Sequence, residues 1–197
     1  EFLLENAMKN ATAHALGFAI ENNNQIIQAL PVHHSYGIIA YILTPLVVGC
    51  AVNFCPGMIG LRSFRKDKNP VESILHVSPS QARFIIRDKV AAEHLKKITI
   101  GGGALSLDEL EKLQDILPHS EIFVSYGLTE AGPRVTAGKF HRALKANHNL
   151  LGQENWIGYA LKDVRIKMME VSSDQSGRLC IQSPYLKINP ALGEVNE

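Results

Sequence analysis

Midway along the chain, Tyr126-Gly127-Leu128-Thr129-Glu130-Ala131-Gly132 puts a hydroxyl and a carboxylate side by side on a glycine-flanked turn. That pairing suits phosphate and magnesium. A threonine hydroxyl can hydrogen-bond a phosphate oxygen, and a glutamate is a hard oxygen ligand that Mg²⁺ accepts while it is shared with nucleotide phosphates. The preceding Glu121-Ile122-Phe123-Val124-Ser125 is apolar and β-branched enough for a buried strand. Thr129 and Glu130 are therefore expected just past a strand's carboxyl end, where open α/β sheets bind ligands. On local residues alone, a polar loop with a threonine-capped helix start accounts for the same pattern equally well.

Two further segments carry possible chemistry. Ile98-Thr99-Ile100 runs straight into Gly101-Gly102-Gly103, a tight strand-to-helix turn in which glycine permits positive φ and close packing. Lacking a lysine or a G-x-G-x-x-G spacing, it is neither a Walker loop nor a dinucleotide fingerprint. His33 and His34 stand where a strand ends and a helix begins; such a pair usually caps or packs, and His14, His76 and His94 offer no compelling spacing for a zinc site.

The elements that must position these residues alternate. Residues 2–16 carry Leu4, Met8, Ala11 and Ala15 at helical spacing, predicting one buried face. Residues 25–30 read as a strand stopped by Pro31, a helix begins near Ser35, and residues 51–54 form a second short strand closed by Pro56-Gly57. Asn69-Pro70 can start the next helix, with Pro70 in its first position. Ser106 and Glu109 form a capping box, and Leu107, Leu110, Leu113 and Leu117 mark one face of the helix they start. The alternation predicts an α/β fold with a largely parallel sheet and flanking helices over residues 1–138. Residues 139–156, polar and without a period, read as a surface connection. Within residues 157–197, Val164-Arg165-Ile166-Lys167-Met168 and Arg178-Leu179-Cys180-Ile181-Gln182 alternate cleanly about a turn at 172–177, a β-hairpin.

Composition sets limits. The 197 residues suit one domain with a real core, and 20 Lys+Arg against 19 Asp+Glu leave a net charge of +1. That balance offers no global electrostatic case for nucleic acid or an anionic membrane, and Arg62, Arg65, Lys66 and Lys68 read as a solvated loop. Cys50, Cys55 and Cys180 cannot all pair with one another and show no C-x-x-C spacing, which suits reduced thiols in a cytoplasmic protein. Residues 38–48 are the most apolar stretch, too short to span a bilayer and interrupted by Pro45, and read as a core helix.

Ser125 to Pro133, SYGLTEAGP, resembles the YGxTE signature of the adenylate-forming (AMP-binding) superfamily, which includes acyl- and aryl-CoA ligases and peptide-synthetase adenylation domains. Three other segments agree in order. Ile100-Gly101-Gly102-Gly103-Ala104-Leu105-Ser106 resembles the glycine-rich turn set against adenine, and Pro31-Val32-His33-His34-Ser35-Tyr36-Gly37 resembles the upstream P-x-x-H-x-x-G segment. Ile157-Gly158-Tyr159-Ala160-Leu161 with Gly177-Arg178-Leu179-Cys180-Ile181 resembles the "IGxPL … GEL" stretch, where a small β-subdomain begins. The similarity runs over residues 2–186.

The resemblance implies activation of a carboxylic acid by ATP and Mg²⁺ to an acyl-adenylate, then transfer to a thiol such as coenzyme A or a carrier protein; the charge balance and the short apolar stretch add no nucleic acid and no membrane span. It assigns Gly102, Gly103, Ala104, Tyr126, Gly127 and Thr129 to the nucleotide, with Tyr126 stacking on the base. His34, Ser35, Tyr36, Gly37, Gly101 and Leu128 fall to the acyl pocket. Thr129, Glu130 and His34 are the expected catalytic groups, with Glu130 on the metal. The sequence departs from the pattern in places. The phosphate loop, the ribose-binding aspartate and the C-terminal catalytic lysine are not matched, Arg178 stands in place of the usual glutamate, and residues 186–197 do not resemble the family's continuation. The chain thus reads as a central fragment of the large domain, inactive alone. The lack of an aspartate among residues 33–36 disfavours an amino-acid-adenylating domain, one alternative; a non-catalytic nucleotide- or acyl-binding remnant is the other.

Overall fold

The structure, a computed structural model, describes residues 3–54, 72–90, 95–144, 155–173 and 177–185. Strand β1 (Gln25–Gln28) lies between β2 (Ala51–Phe54) and β3 (Ser73–Val77), and β4 (Leu95–Ile100) and β5 (Glu121–Val124) continue the sheet, all in parallel. Strands β6 (Thr136–Lys139) and β7 (Tyr159–Ala160) extend it antiparallel, completing the order β2-β1-β3-β4-β5-β6-β7. A separate antiparallel hairpin joins β8 (Arg165–Met169) to β9 (Arg178–Gln182). This is the expected α/β architecture with its small hairpin. The expected boundary at Gly138 falls inside β6, because Gly138 packs against Trp156 and Gly158 with no room for a side chain and so draws the later segment onto the sheet.

Alternating residues along the strands feed two cores. Ile27, Leu75, Ile98 and Ile122 meet α4 (Pro79–Asp88) and α5 (Leu107–Ile116), whereas Ile26, Ile74 and Phe123 meet α1 (Leu4–Gly17) and a helical segment on the other face. That segment is built from α2 (Ser35–Gly37), a π-helical stretch (Ile38–Leu43) and α3 (Thr44–Val48). Both α4 and α5 open with complete capping boxes, Ser78 with Gln81 and Ser106 with Glu109, which satisfy amides that a helix leaves unpaired. The predicted leucine face of α5 is fully buried at Leu107, Leu110, Leu113 and Leu117.

Three readings change, and one falls where the structure gives no description. The helix start at Asn69-Pro70 lies outside the described residues. The next described element is β3, a strand buried at every position, and α4 begins at Pro79. Ser73 and His76 interrupt the apolar run, so no period marks this interior strand. Residues 38–48 are a core helix on one side only, since Ile38, Ile42 and Leu46 are exposed. In α1, Ala11 and Ala15 are buried as expected but Leu4 is exposed, and the inner face is completed by Asn10, Ala13 and His14. Phe140 and Leu144, read as part of a surface connection, sit in the α5-side core. The Cys55 and Pro56-Gly57 readings, the basic cluster Arg62 to Lys68, His94, the hairpin turn's 174–176 and residues 186–197 lie outside the described residues.

Candidate functional site

The site is built where parallel strands end. Ile100 of β4 is in register with Val124 of β5, and Val77 of β3 with Ile100. Gly101 and Ser125 therefore leave the sheet side by side: the Gly101 amide donates to the Val77 carbonyl (3.2 Å), and the Ser125 amide to the Ile100 carbonyl (2.9 Å). The chain runs from β1 to β2 on one side, then returns to place β3 on the other, so the strand order reverses between β1 and β3. Ligands in open α/β sheets bind at such a switch point. A cavity of about 150 Å³ opens there, lined by Leu30, Pro31, His34, Tyr36, Gly37, Ser78, Gly101 and Gly102.

Glycine is required at three of these positions, and at Gly37 an added Cβ would stand 2.2 Å from the Pro31 carbonyl oxygen. Gly102 turns with φ +82°, a backbone that side chains rarely adopt, and a Cβ on Gly101 would come within 2.7 Å of the Tyr36 ring and 2.6 Å of the Ser125 hydroxyl. Gly103 and Ala104 continue the turn in solvent, and the Ala104 carbonyl accepts from Arg83 (3.3 Å), which also grips the Glu109 carboxylate of α5's cap (2.6 and 3.2 Å).

The signature turn lies alongside. The Tyr126 amide donates to the Thr136 hydroxyl (3.0 Å), and its carbonyl accepts from the amides of Val135 and Thr136 (both 3.0 Å), which fixes the turn to β6. Gly127 passes against the Pro133 carbonyl with no room for a side chain. Thr129, Glu130 and Ala131 form one 3-10 turn in which Glu130 is exposed. Across 94 positions, the Thr129 hydroxyl meets that of Ser35 at 2.9 Å, joining the signature directly to the histidine segment.

His34 is exposed and caps α2, its Nδ1 accepting from the Tyr36 amide (3.3 Å). Of the residues expected together in an acyl pocket, His34, Tyr36, Gly37 and Gly101 do line one cavity. Ser35 and Leu128 do not: Ser35 turns to Thr129, and Leu128 points into solvent. Leu30, Pro31 and Ser78 line it without having been singled out; the capping box at Ser78 was a readable cue to the last.

Behind the Tyr36 wall lies a buried polar cluster that sequence reasoning missed. It comprises Asn10, His14, Tyr36, Tyr41, His76, Thr99 and Arg134. The Tyr36 hydroxyl meets Thr99 (3.3 Å), as does His76 Nδ1 (2.5 Å), and the Tyr41 hydroxyl donates to the His76 carbonyl (3.2 Å). Burial, reinforced by Arg134, pushes His76 down to about 3, and burial with Arg134 and His76 beside it holds His14 well below the usual histidine range. Both imidazoles are therefore neutral.

Among the described residues no group of three His, Cys, Asp or Glu is placed to hold a metal ion. The lone exposed carboxylate of Glu130 fits a Mg²⁺ that takes its other ligands from phosphate and water, and does not fit a dedicated protein cage.

Comparison with known proteins identifies the family and the fold. The family model described as AMP-binding enzyme matches residues 4–187. The mitochondrial malonate–CoA ligase of Xenopus laevis is 26% identical over 148 residues, covering 66% of this chain and 25% of that protein. The solved structure of VinN with L-aspartate superposes with a TM-score of 0.75 at 15% identity, over 98% of this chain and 49% of that one. The o-succinylbenzoate CoA synthetase of Bacillus subtilis, in complex with ATP and magnesium, gives 0.73 at 18% identity over 94% and 38%. The chain thus spans a quarter of the length of the curated relative it matches and under half of these structures. Among the described residues no helix is long and apolar enough to cross a membrane.

Proposed function

The chain belongs to the AMP-binding enzyme family, and from that premise we propose that the protein carrying it activates a carboxylic acid with ATP and passes the acyl group to a thiol. In the first step a carboxylate oxygen forms a bond to the α-phosphorus while the bond to the bridging oxygen breaks, giving acyl-adenylate and pyrophosphate. In the second, thiol sulfur forms the thioester and AMP leaves. The observation that carries this reading is the juxtaposition of the Gly101–Ala104 turn, the Tyr126–Glu130 turn and the His34–Gly37 segment at one switch point. A CoA ligase among the relatives supports coenzyme A as the acceptor, and the unbridged Cys50 and Cys180 support a reducing, intracellular setting.

In this reading the exposed backbone of Gly102 to Ala104 and the Tyr126 ring flank the adenine. The Thr129 hydroxyl, oriented by Ser35, holds an α-phosphate oxygen and positions phosphorus for in-line attack. The acid enters the cavity beside His34, whose neutral form can orient a carboxylate oxygen without acting as a base. The cavity's size and its apolar lining by Leu30, Pro31 and Tyr36 suit a small acid. Mg²⁺ held by Glu130 would neutralise phosphate oxygens. Glu130→Gln in the intact protein should lower acid-dependent pyrophosphate release about 100-fold or more at limiting Mg²⁺, leaving the unfolding midpoint unchanged because the site is an exposed turn. Equal release by variant and parent would refute the assignment.

A further inference from the structure

Arg134 heads the largest fully buried side chains described, at 1% exposure, and no carboxylate bonds to it or acts on it among the described residues. Its guanidinium carbon lies 3.1 Å over the Tyr36 ring, and Nε donates to His14 Nδ1 (3.0 Å). Nη2 has no partner, and Nη1 stands 3.5 Å from the Cβ position that Gly101 leaves empty. The neighbouring histidines are neutral, and the Tyr36 and Tyr41 hydroxyls are hydrogen-bonded. Burying a cation costs several kcal/mol unless an opposite charge answers it, and a stacked aromatic ring answers only part of that. Both residues that separate Arg134 from the cavity, Tyr36 and Gly101, line it, and among the described residues no carboxylate does.

We infer that Arg134 is a specificity-determining residue: its fixed positive charge, acting through the thin wall of Tyr36 and Gly101, makes the cavity select acids without a cationic tail and favour those with a second anionic group. This rests on the acid-activation reading and names the substrate class of the same site. A desolvated charge at this range is weakly screened, so an ammonium tail is repelled and a carboxylate tail attracted even without contact. The missing carboxylate among residues 33–36 already disfavours amino acids; Arg134 adds an opposing charge.

Propionate, malonate and 3-aminopropionate share a three-carbon frame and differ in tail charge. The intact protein and its Arg134→Met, Arg134→Gln and Arg134→Lys variants would be titrated with each acid alone by thermal shift, and with ATP by pyrophosphate release. The parent should bind malonate at least as well as propionate, and propionate about tenfold better than 3-aminopropionate. Arg134→Met and Arg134→Gln should narrow the latter gap to under about threefold, and Arg134→Lys should keep it. Gln retains a donor for His14, which covers the case where Met does not fold. The inference fails if the parent shows no charge order, if no acid shifts its midpoint, or if the neutral variants weaken all three acids equally. Charge-ordered binding without pyrophosphate release would refute acid activation and leave the inference standing. Release without charge order would do the reverse.

Discussion

Beneath α4 and α5 the sheet is covered mainly by hydrocarbon, while beneath α1 and the 35–48 helical segment an apolar cluster around Phe18, Ile26, Ile74 and Phe123 is interrupted by Asn10, His14, Tyr36, Tyr41, Thr44 and Arg134, facing His76 and Thr99. The first layer is made of two capped helices with their leucines inward. The second leaves Asn10 Oδ1, His14 Nε2, Thr44 Oγ1, His76 Nε2 and Arg134 Nη2 buried without partners. Each such atom costs about 1–3 kcal/mol, a burden that concentrates near functional sites. The cavity opens against the costly layer. The two faces of one sheet thus divide the labour: one secures the fold, and the other holds charge and shape beside a ligand.

The sharpest test of that division is Leu110→Ala in α5. Leu110 is fully buried in the dry layer, so the substitution removes transfer energy and leaves a void, for an expected loss of about 2–5 kcal/mol. Denaturant midpoints would read it. Nucleotide affinity per folded molecule should not move; a matching loss of affinity would break the division.

The polar layer makes its own prediction, with a sign set by two buried neutral histidines. Both have folded values depressed below the unfolded value near 6.5, so their contribution is fully present above that pH. As pH falls below about 6.5 the unfolded chain takes up protons that the folded one refuses, and stability declines down to the folded value, about 3 for His76. The slope is about 1.4 kcal/mol per pH unit for each histidine in that window. His76→Gln should flatten stability against pH between about 6 and 4 by one such increment. An unchanged slope would show that His76 is not held neutral.

The dry layer was legible because its rules are local. Ser106 and Glu109 lie three apart, the leucines after Ser106 keep helical spacing, and their partners are within a turn. The signature turn and the glycine turn were legible as motifs, and their common edge followed from the short apolar strands, β4 and β5, that run into them. The polar layer was not legible. Arg134 meets His14 across 120 positions and stacks on Tyr36, nearly as remote in sequence, and nothing in Pro133-Arg134-Val135 marks an arginine that is buried. Charged side chains are rarely so placed, so the default reading puts them in solvent. Strand β3 was lost for a related reason: Ser73 and His76 are polar residues that the fold buries, and His76 is part of the same cluster.

The smallest expected effect probes the seam between the layers. Ser106 caps α5 just past the glycine turn, its hydroxyl accepting from the Glu109 amide (3.2 Å). Ser106→Ala removes that acceptor and should cost about 1 kcal/mol. The Glu109 carboxylate would still accept from the residue-106 amide and from Arg83, and Arg83 would still hold the Ala104 carbonyl. The exposed Arg83 pair adds little stability in itself, yet it ties the end of the turn to α4 independently of the cap. The turn's other end is pinned by the Gly101 amide on β3. Ser106→Ala should therefore lower the unfolding midpoint slightly and leave AMP affinity of the intact protein unchanged within twofold, about 0.4 kcal/mol. A larger fall in affinity, without a larger fall in stability, would mean that the helix cap itself shapes the nucleotide platform and that the two layers meet at Ser106.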